Sequence, residues 1–123
     1  MQHTAAVSVL IIGLLLSTAC TQDSNTPSIE AQAWALIEQG ALLIDVRTPQ
    51  EYNQGHLENA LLIPHNQLVD RINELGDDKT RKIVLYCRSG GRAGKAEAIL
   101  RQQGFNNVLN AGGYQDMKAQ EVK

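Results

Sequence analysis

Four short apolar runs constrain this chain most. They are ALLIDV at Ala41–Val46, ALLIP at Ala60–Pro64, KIVLYC at Lys82–Cys87 and NNVLN at Asn106–Asn110. In several of them apolar residues follow one another without alternation. A strand with one face in water alternates; a strand covered on both faces need not. Helical patterns lie between the runs. Glu30–Gln39 stops at Gly40. Gln67–Leu75 carries Leu68, Ile72 and Leu75 on one face and stops at Gly76. Gly91–Gln103 carries Ala96, Ile99 and Leu100 and stops at Gly104. TPQE at Thr48–Glu51 is a capping box with proline at the first helical position. Strand and helix in alternation predict the α/β class, with a mostly parallel central sheet and helices on both faces. Sites in such sheets form at the carboxyl ends of strands. Cys87 ends one strand there, and Asp45 and Arg47 end another.

The beginning of the chain is of another kind. Ala5–Cys20 contains no charge, and its apolar stretch of about 15 residues falls short of the roughly 20 that cross a bilayer as a helix. It reads as the apolar region of a secretion signal. LSTAC at Leu16–Cys20 resembles a bacterial lipoprotein signal, in which the cysteine becomes the lipidated first residue. STA at Ser17–Ala19 also suits an ordinary signal peptidase, and an uncleaved membrane anchor is the remaining reading. The expected organisation is a signal peptide at 1–19, a polar tether at 20–28 and one domain at 29–123. The expected location is the periplasm, with a lipid anchor on Cys20 and Thr21 mildly favouring the outer membrane.

The 123 residues suffice for one ordinary domain. A net charge of −2 supplies no basic field for nucleic acid, and aromatics at 4% supply no base-stacking ladder. There are two cysteines. With Cys20 lipidated, Cys87 has no partner within the chain, which removes disulfide, CxxC and cysteine-zinc readings. No histidines and carboxylates share metal-ligand spacing, so neither metal nor cofactor is expected.

YCRSGGRAGKA at Tyr86–Ala96 is then a strand–loop–helix junction. Phosphate cradle, reactive thiol and core cysteine beside a tight turn are its three candidate readings. Loop N–H groups and a helix N-terminus favour an anion at that point, a thiolate included. Arg88 and Arg92 add full charges, and Gly90 and Gly91 permit close backbone approach. A Walker loop fails at both ends, with Ser89 at its first glycine and Ala96 at its hydroxyl position. Cysteine phosphatases carry C-x5-R, whereas here the arginine comes one place early. The shorter loop suits one extra atom on the sulfur better than a tetrahedral phosphate. Two flanking arginines also make a poor setting for an inert buried cysteine.

LIDVRTPQEYNQGHLENALLIP at Leu43–Pro64, IVLYCRSGGRA at Ile83–Ala93 and NVLNAGGY at Asn107–Tyr114 occur in order. Through these stretches the chain from about Ile29 to Met117 resembles a single-domain rhodanese. The six-residue loop Cys87–Arg92 is similar to the sulfurtransferase form. Tyr114 stands where tryptophan often follows the paired glycines.

The resemblance implies a ping-pong sulfurtransferase with Cys87 as nucleophile and persulfide carrier. It implies thiosulfate or a similar sulfur donor, and a thiol or cyanide acceptor. The loop Arg88, Ser89, Gly90, Gly91 and Arg92 would hold the outer sulfur, with Arg88 and Arg92 orienting the anionic donor. Asp45 and Arg47 would support the loop by hydrogen bonds; a surface ion pair is the plainer reading of these two. Glu51, His56 and His65 read as structural: a cap, a turn and a loop residue. The second function is a sulfane-sulfur carrier for an extracytoplasmic partner protein. The oligomeric state stays open.

Overall fold

The structure is a computed structural model that describes residue 13 and residues 25–121. Cys20, and the apolar stretch apart from Gly13, lie outside the described residues. Helix α1 spans Ile29–Glu38, begun by Ser28, whose hydroxyl accepts the Ala31 N–H at 3.2 Å. Strand β1 is Leu42–Asp45, α2 is Pro49–Gln54 and β2 is Leu61–Leu62. Strand β3 is Ile83–Cys87, α3 is Gly91–Gln102, β4 is Val108–Gly113 and α4 is Tyr114–Ala119. The four strands form one parallel sheet in the order β2-β1-β3-β4.

Both faces of the sheet are covered, as the unbroken apolar runs require. On one face Ile44, Val46, Ile83 and Leu85 meet Ala93, Ala96 and Leu100 of α3. On the other, Leu43, Val84 and Tyr86 meet Ala33 of α1 and Met117 of α4. All five residues of β3 are buried. A fully buried Leu or Ile contributes roughly 1.5–3 kcal/mol, so these two faces carry the stability of the fold.

Two expectations need correction. The segment 67–75 is not one α-helix but part of two 3-10 turns, His65–Gln67 and Ile72–Leu75. Its bonds are short-range, such as the Glu74 N–H to the Arg71 carbonyl and the Gly76 N–H to the Asn73 carbonyl. Val69, Asp70, Ile72 and Asn73 are weak helix formers, so burial of Leu68 and Leu75 is satisfied without a regular helix. The last strand runs beyond Asn110 to Gly113 and leads directly into α4. Leu85 pairs with Asn110 but Cys87 pairs with Gly113. One extra residue of β4 is thus accommodated as a bulge beside the end of β3.

Candidate active site

Alternation along β3 decides where the sulfur goes. Ile83, Leu85 and Cys87 face α3, while Val84 and Tyr86 face the other side. Cys87 is 1% exposed and packs with the core. The thiol is thus buried even though two flanking arginines make a poor setting for an inert buried cysteine. Arg88 is exposed, Arg92 reaches away to Glu51, and the sulfur alone points inward. Ser89 and Gly91 are exposed on the loop.

Gly90 is the N-cap of α3 and has left-handed dihedrals, φ 97° and ψ −17°. Glycine adopts this conformation without steric cost. A left-handed residue followed by a helical one turns successive N–H groups into one concavity. The Gly90 N–H donates to Cys87 Sγ at 2.9 Å. No side-chain cap occupies this end of α3, so its first-turn N–H groups remain available. Chemically, such a concavity stabilises negative charge on the sulfur or on an atom attached to it.

The flanking cations differ. Arg88 lines a hollow of about 510 Å³ with Arg47, Glu51, Gln54, Gly55 and Tyr114. Arg92 donates from both terminal nitrogens to Glu51, at 2.6 and 2.9 Å. Glu51 also closes the capping box of α2: its own N–H donates to Thr48 Oγ1, and its carboxylate accepts the Thr48 N–H at 3.2 Å. The Arg92 hydrogen bond is the chief cause that lowers the Glu51 carboxyl from an ordinary 4.5 to about 2, against the upward push of burial. Glu51, read from the sequence as a cap alone, therefore also ties α2 to the cysteine loop. Nothing local signals this, because the two residues are 41 apart in sequence.

Asp45 and Arg47 are buried, at 0% and 5% exposure, which overturns the reading of a surface ion pair. Arg47 donates to Asp45 through its backbone N–H, Nε and Nη2, and through Nη2 also to the Gly55 carbonyl at 2.7 Å. Burial acts to lower the Arg47 pKa, but its hydrogen bonds and attraction to Asp45 raise it overall. Its guanidinium carbon lies 4.5 Å from the Tyr114 ring centroid and 5.5 Å from that of Tyr86. The hydrogen bonds of this pair go to the turn at Gly55 rather than to residues 88–92. The expected hydrogen bonds from this pair to the loop are therefore not formed; Arg47 instead lines the hollow beside it. His56 stacks on Tyr52, with ring centroids 3.6 Å apart, and its Nδ1 lies 2.9 Å from the Tyr52 carbonyl oxygen. His65 opens a 3-10 turn, with its N–H donating to the Val46 carbonyl. Both take structural positions.

The β4 bulge supplies a side of the site that the sequence reading missed. Gly113 has an ordinary φ of −103°, yet a Cβ there would lie 2.6 Å from the Arg88 carbonyl oxygen. Close approach, not dihedral freedom, requires this glycine. Asn110 donates through Nδ2 to the Gly90 carbonyl at 3.0 Å and accepts the Gly112 N–H on Oδ1 at 2.9 Å. The N-x-G-G pattern of Asn110–Gly113 was a turn signal that could have pointed to it.

Comparison with known proteins agrees with this geometry. The model of the rhodanese-like domain matches residues 30–120, and the chain belongs to that family. It is 39% identical over 80 residues to "Thiosulfate sulfurtransferase PspE" of Escherichia coli (strain K12), covering 65% of this chain and 77% of that one. It is 44% identical over 75 residues to a "Sulfurtransferase" of Allochromatium vinosum, covering 61% and 68%. Among solved structures, "rhodanese with anions from E. coli" superposes with a TM-score of 0.59 at 38% identity, covering 62% of this chain and 89% of that one. Sulfur transfer is the general activity these relatives support.

Proposed function

We propose that the chain is a thiosulfate-type sulfurtransferase working through a persulfide on Cys87. The Cys87 thiolate attacks the outer sulfur of thiosulfate. A Cys–S–S bond forms as the donor S–S bond breaks, and sulfite leaves with the electron pair. A thiol or cyanide then attacks the terminal sulfur, and Cys87 departs again as thiolate. The observation that carries the reading is the six-residue loop with the Gly90 N–H on Cys87 Sγ at 2.9 Å. That N–H, with the uncapped first turn of α3 behind it, would stabilise the negative charge of a terminal persulfide sulfur. Arg88 is the cation left to draw in the donor, since Arg92 is held by Glu51.

Mass spectrometry tests this. Thiosulfate should add one sulfur atom to the purified protein, and cyanide should remove it. Failure of the protein to take up sulfur from thiosulfate would reject the reading. Fast loading with slow discharge to every small acceptor would instead indicate a carrier for a partner protein. We also propose, from the Ala5–Cys20 pattern alone, an extracytoplasmic location with a lipid on Cys20. Fatty-acid labelling of wild type but not of Cys20→Ala would support it, and absence of label from both would reject the anchor.

A further inference from the structure

Two glycines in succession make the Gly90–Gly91 peptide easy to turn over, because no Cβ on either side opposes the motion. The two orientations are opposite in electrostatic effect. A trans peptide points its C=O and N–H in opposite directions. Gly90 is left-handed and its N–H donates to Cys87 Sγ at 2.9 Å, and Gly91 opens α3 with the first of the helix N–H groups that have no intrahelical partner. A turned peptide would direct the Gly90 carbonyl dipole at the sulfur and withdraw the Gly91 N–H. A cradle for an anion would become a site that repels one.

Two contacts oppose this. The Gly90 carbonyl accepts the first helical bond, from the Gly94 N–H at 2.9 Å. It also accepts Asn110 Nδ2 at 3.0 Å. The second contact comes from another strand, and its geometry is fixed at the far end. Asn110 Oδ1 accepts the Gly112 N–H at 2.9 Å, which sets the amide so that its NH₂ must face Gly90. Asn110 pairs with Leu85 in the last in-register pair before the bulge, which then brings Gly113 opposite Cys87. A Cβ on Gly90 would also lie 3.3 Å from Gly112 Cα, so loop and bulge are in contact here.

We propose that Asn110 is the positioning residue that fixes the polarity of the cysteine loop. By holding the Gly90 carbonyl away from Cys87, it keeps the Gly91 N–H in the concavity. Its consequence for turnover rests on the persulfide reading above.

The experiment compares wild type with Asn110→Asp and Asn110→Ala. Aspartate keeps an acceptor for the Gly112 N–H but loses the donor to Gly90, so it separates the two bonds of Asn110. Both variants should lower kcat with thiosulfate and cyanide about tenfold, with the KM for thiosulfate within twofold of wild type. Amide hydrogen exchange at Gly91 should be faster in both. A residue that only stabilised the fold would lower the melting temperature and leave kcat of the folded protein and Gly91 exchange unchanged; that result overturns the proposal. A measurement on wild type serves even if neither variant folds. Sulfur loading of Cys87 should shift the Gly91 amide resonance, and an unmoved Gly91 resonance in the loaded protein rejects the idea. If wild type takes up no sulfur, the persulfide reading fails by itself. Cys87 alkylation by iodoacetamide at fixed pH then decides the Asn110 inference, being slower in Asn110→Asp if it holds and equal to wild type if it does not.

Discussion

At the carboxyl edge of the sheet, the hollow beside the cysteine loop measures about 510 Å³ and is lined by Arg47, Glu51, Gln54, Gly55, Arg88 and Tyr114. At the opposite edge, one of about 430 Å³ is lined by residues including Gln39, Gly76, Asp77, Asp78, Arg81 and Lys82. The two are similar in size, and each mixes both signs of charge. They differ in what holds the charges. At the opposite edge exposed Lys82 donates to Gln39 at 2.8 Å and the exposed Asp78 carboxylate accepts the Thr80 N–H at 2.9 Å, and of these charges only Arg81 is half-buried, donating to the Leu75 carbonyl. At the carboxyl edge Asp45 and Arg47 are buried, Glu51 and Arg92 pair across α2 and α3, and backbone comes within touching distance of backbone at Gly113. A charge fixed before a ligand arrives needs no reorganisation when it does. A charge on a mobile surface side chain is screened and loses entropy when it is used. Volume does not distinguish the two ends; preorganisation does.

The comparison can be tested in order of effect. On the proposed persulfide mechanism Cys87→Ser should abolish sulfur transfer, by about 10³-fold or more, because a hydroxyl would not replace the thiolate as nucleophile and sulfur carrier. Circular dichroism should show the same fold. An active serine variant would remove the chemistry from this end of the sheet.

Arg88→Ala should raise the KM for thiosulfate about tenfold, as expected for one exposed charge-assisted contact, and high salt should imitate part of the loss. Steady-state kinetics at two ionic strengths measure both. An unchanged KM would assign donor capture to another residue.

Glu51→Gln sharpens the claim that α2 and α3 are tied together here. Glutamine can still cap α2, so the change mainly removes the ion pair with Arg92. The side chains are about a quarter exposed, at 25% and 26%, and the expected cost is about 1–2 kcal/mol. Its pH dependence has a definite sign. A carboxyl whose value falls from 4.5 to about 2 on folding stabilises the protein above pH 4.5. That stabilisation is lost as pH falls from there toward 2. Urea unfolding of wild type and Glu51→Gln should therefore differ by a constant amount near neutrality and converge on acidification. A difference that persisted at pH 2 would show that the ion pair was not its source.

Arg81→Ala gives the smallest effect. Arg81 Nη1 donates to the Leu75 carbonyl at 2.5 Å at the opposite edge of the sheet. Its loss should cost about 1 kcal/mol of stability and leave kcat and KM unchanged. A loss of sulfur transfer comparable to that of Arg88→Ala would mean that both ends of the sheet serve the reaction.

Much of this molecule was set by the sequence acting locally. Consecutive apolar residues demanded two covered faces, and Gly40 and Gly104 follow the ends of α1 and α3 as their patterns suggested. The capping box at Thr48–Glu51 began α2 where expected, and KIVLYC followed by a glycine-rich loop put Cys87 at a strand end facing a helix N-terminus. Such signals act over a few residues, through dihedral preference, capping and periodicity, and can be read without knowing what lies across the sheet. The tertiary structure decided the rest. Arg92 is held by Glu51 41 positions away, and Gly90 by Asn110 20 positions away. Gly113 is required by the Arg88 carbonyl, and Leu68 and Leu75 are buried without the regular helix their spacing suggests. These outcomes depend on strand order, on the bulge that advances β4 by one residue, and on which side chains meet when parallel strands are brought together by their crossovers. Local preference does not specify those contacts, because their partners become neighbours only once the sheet has formed.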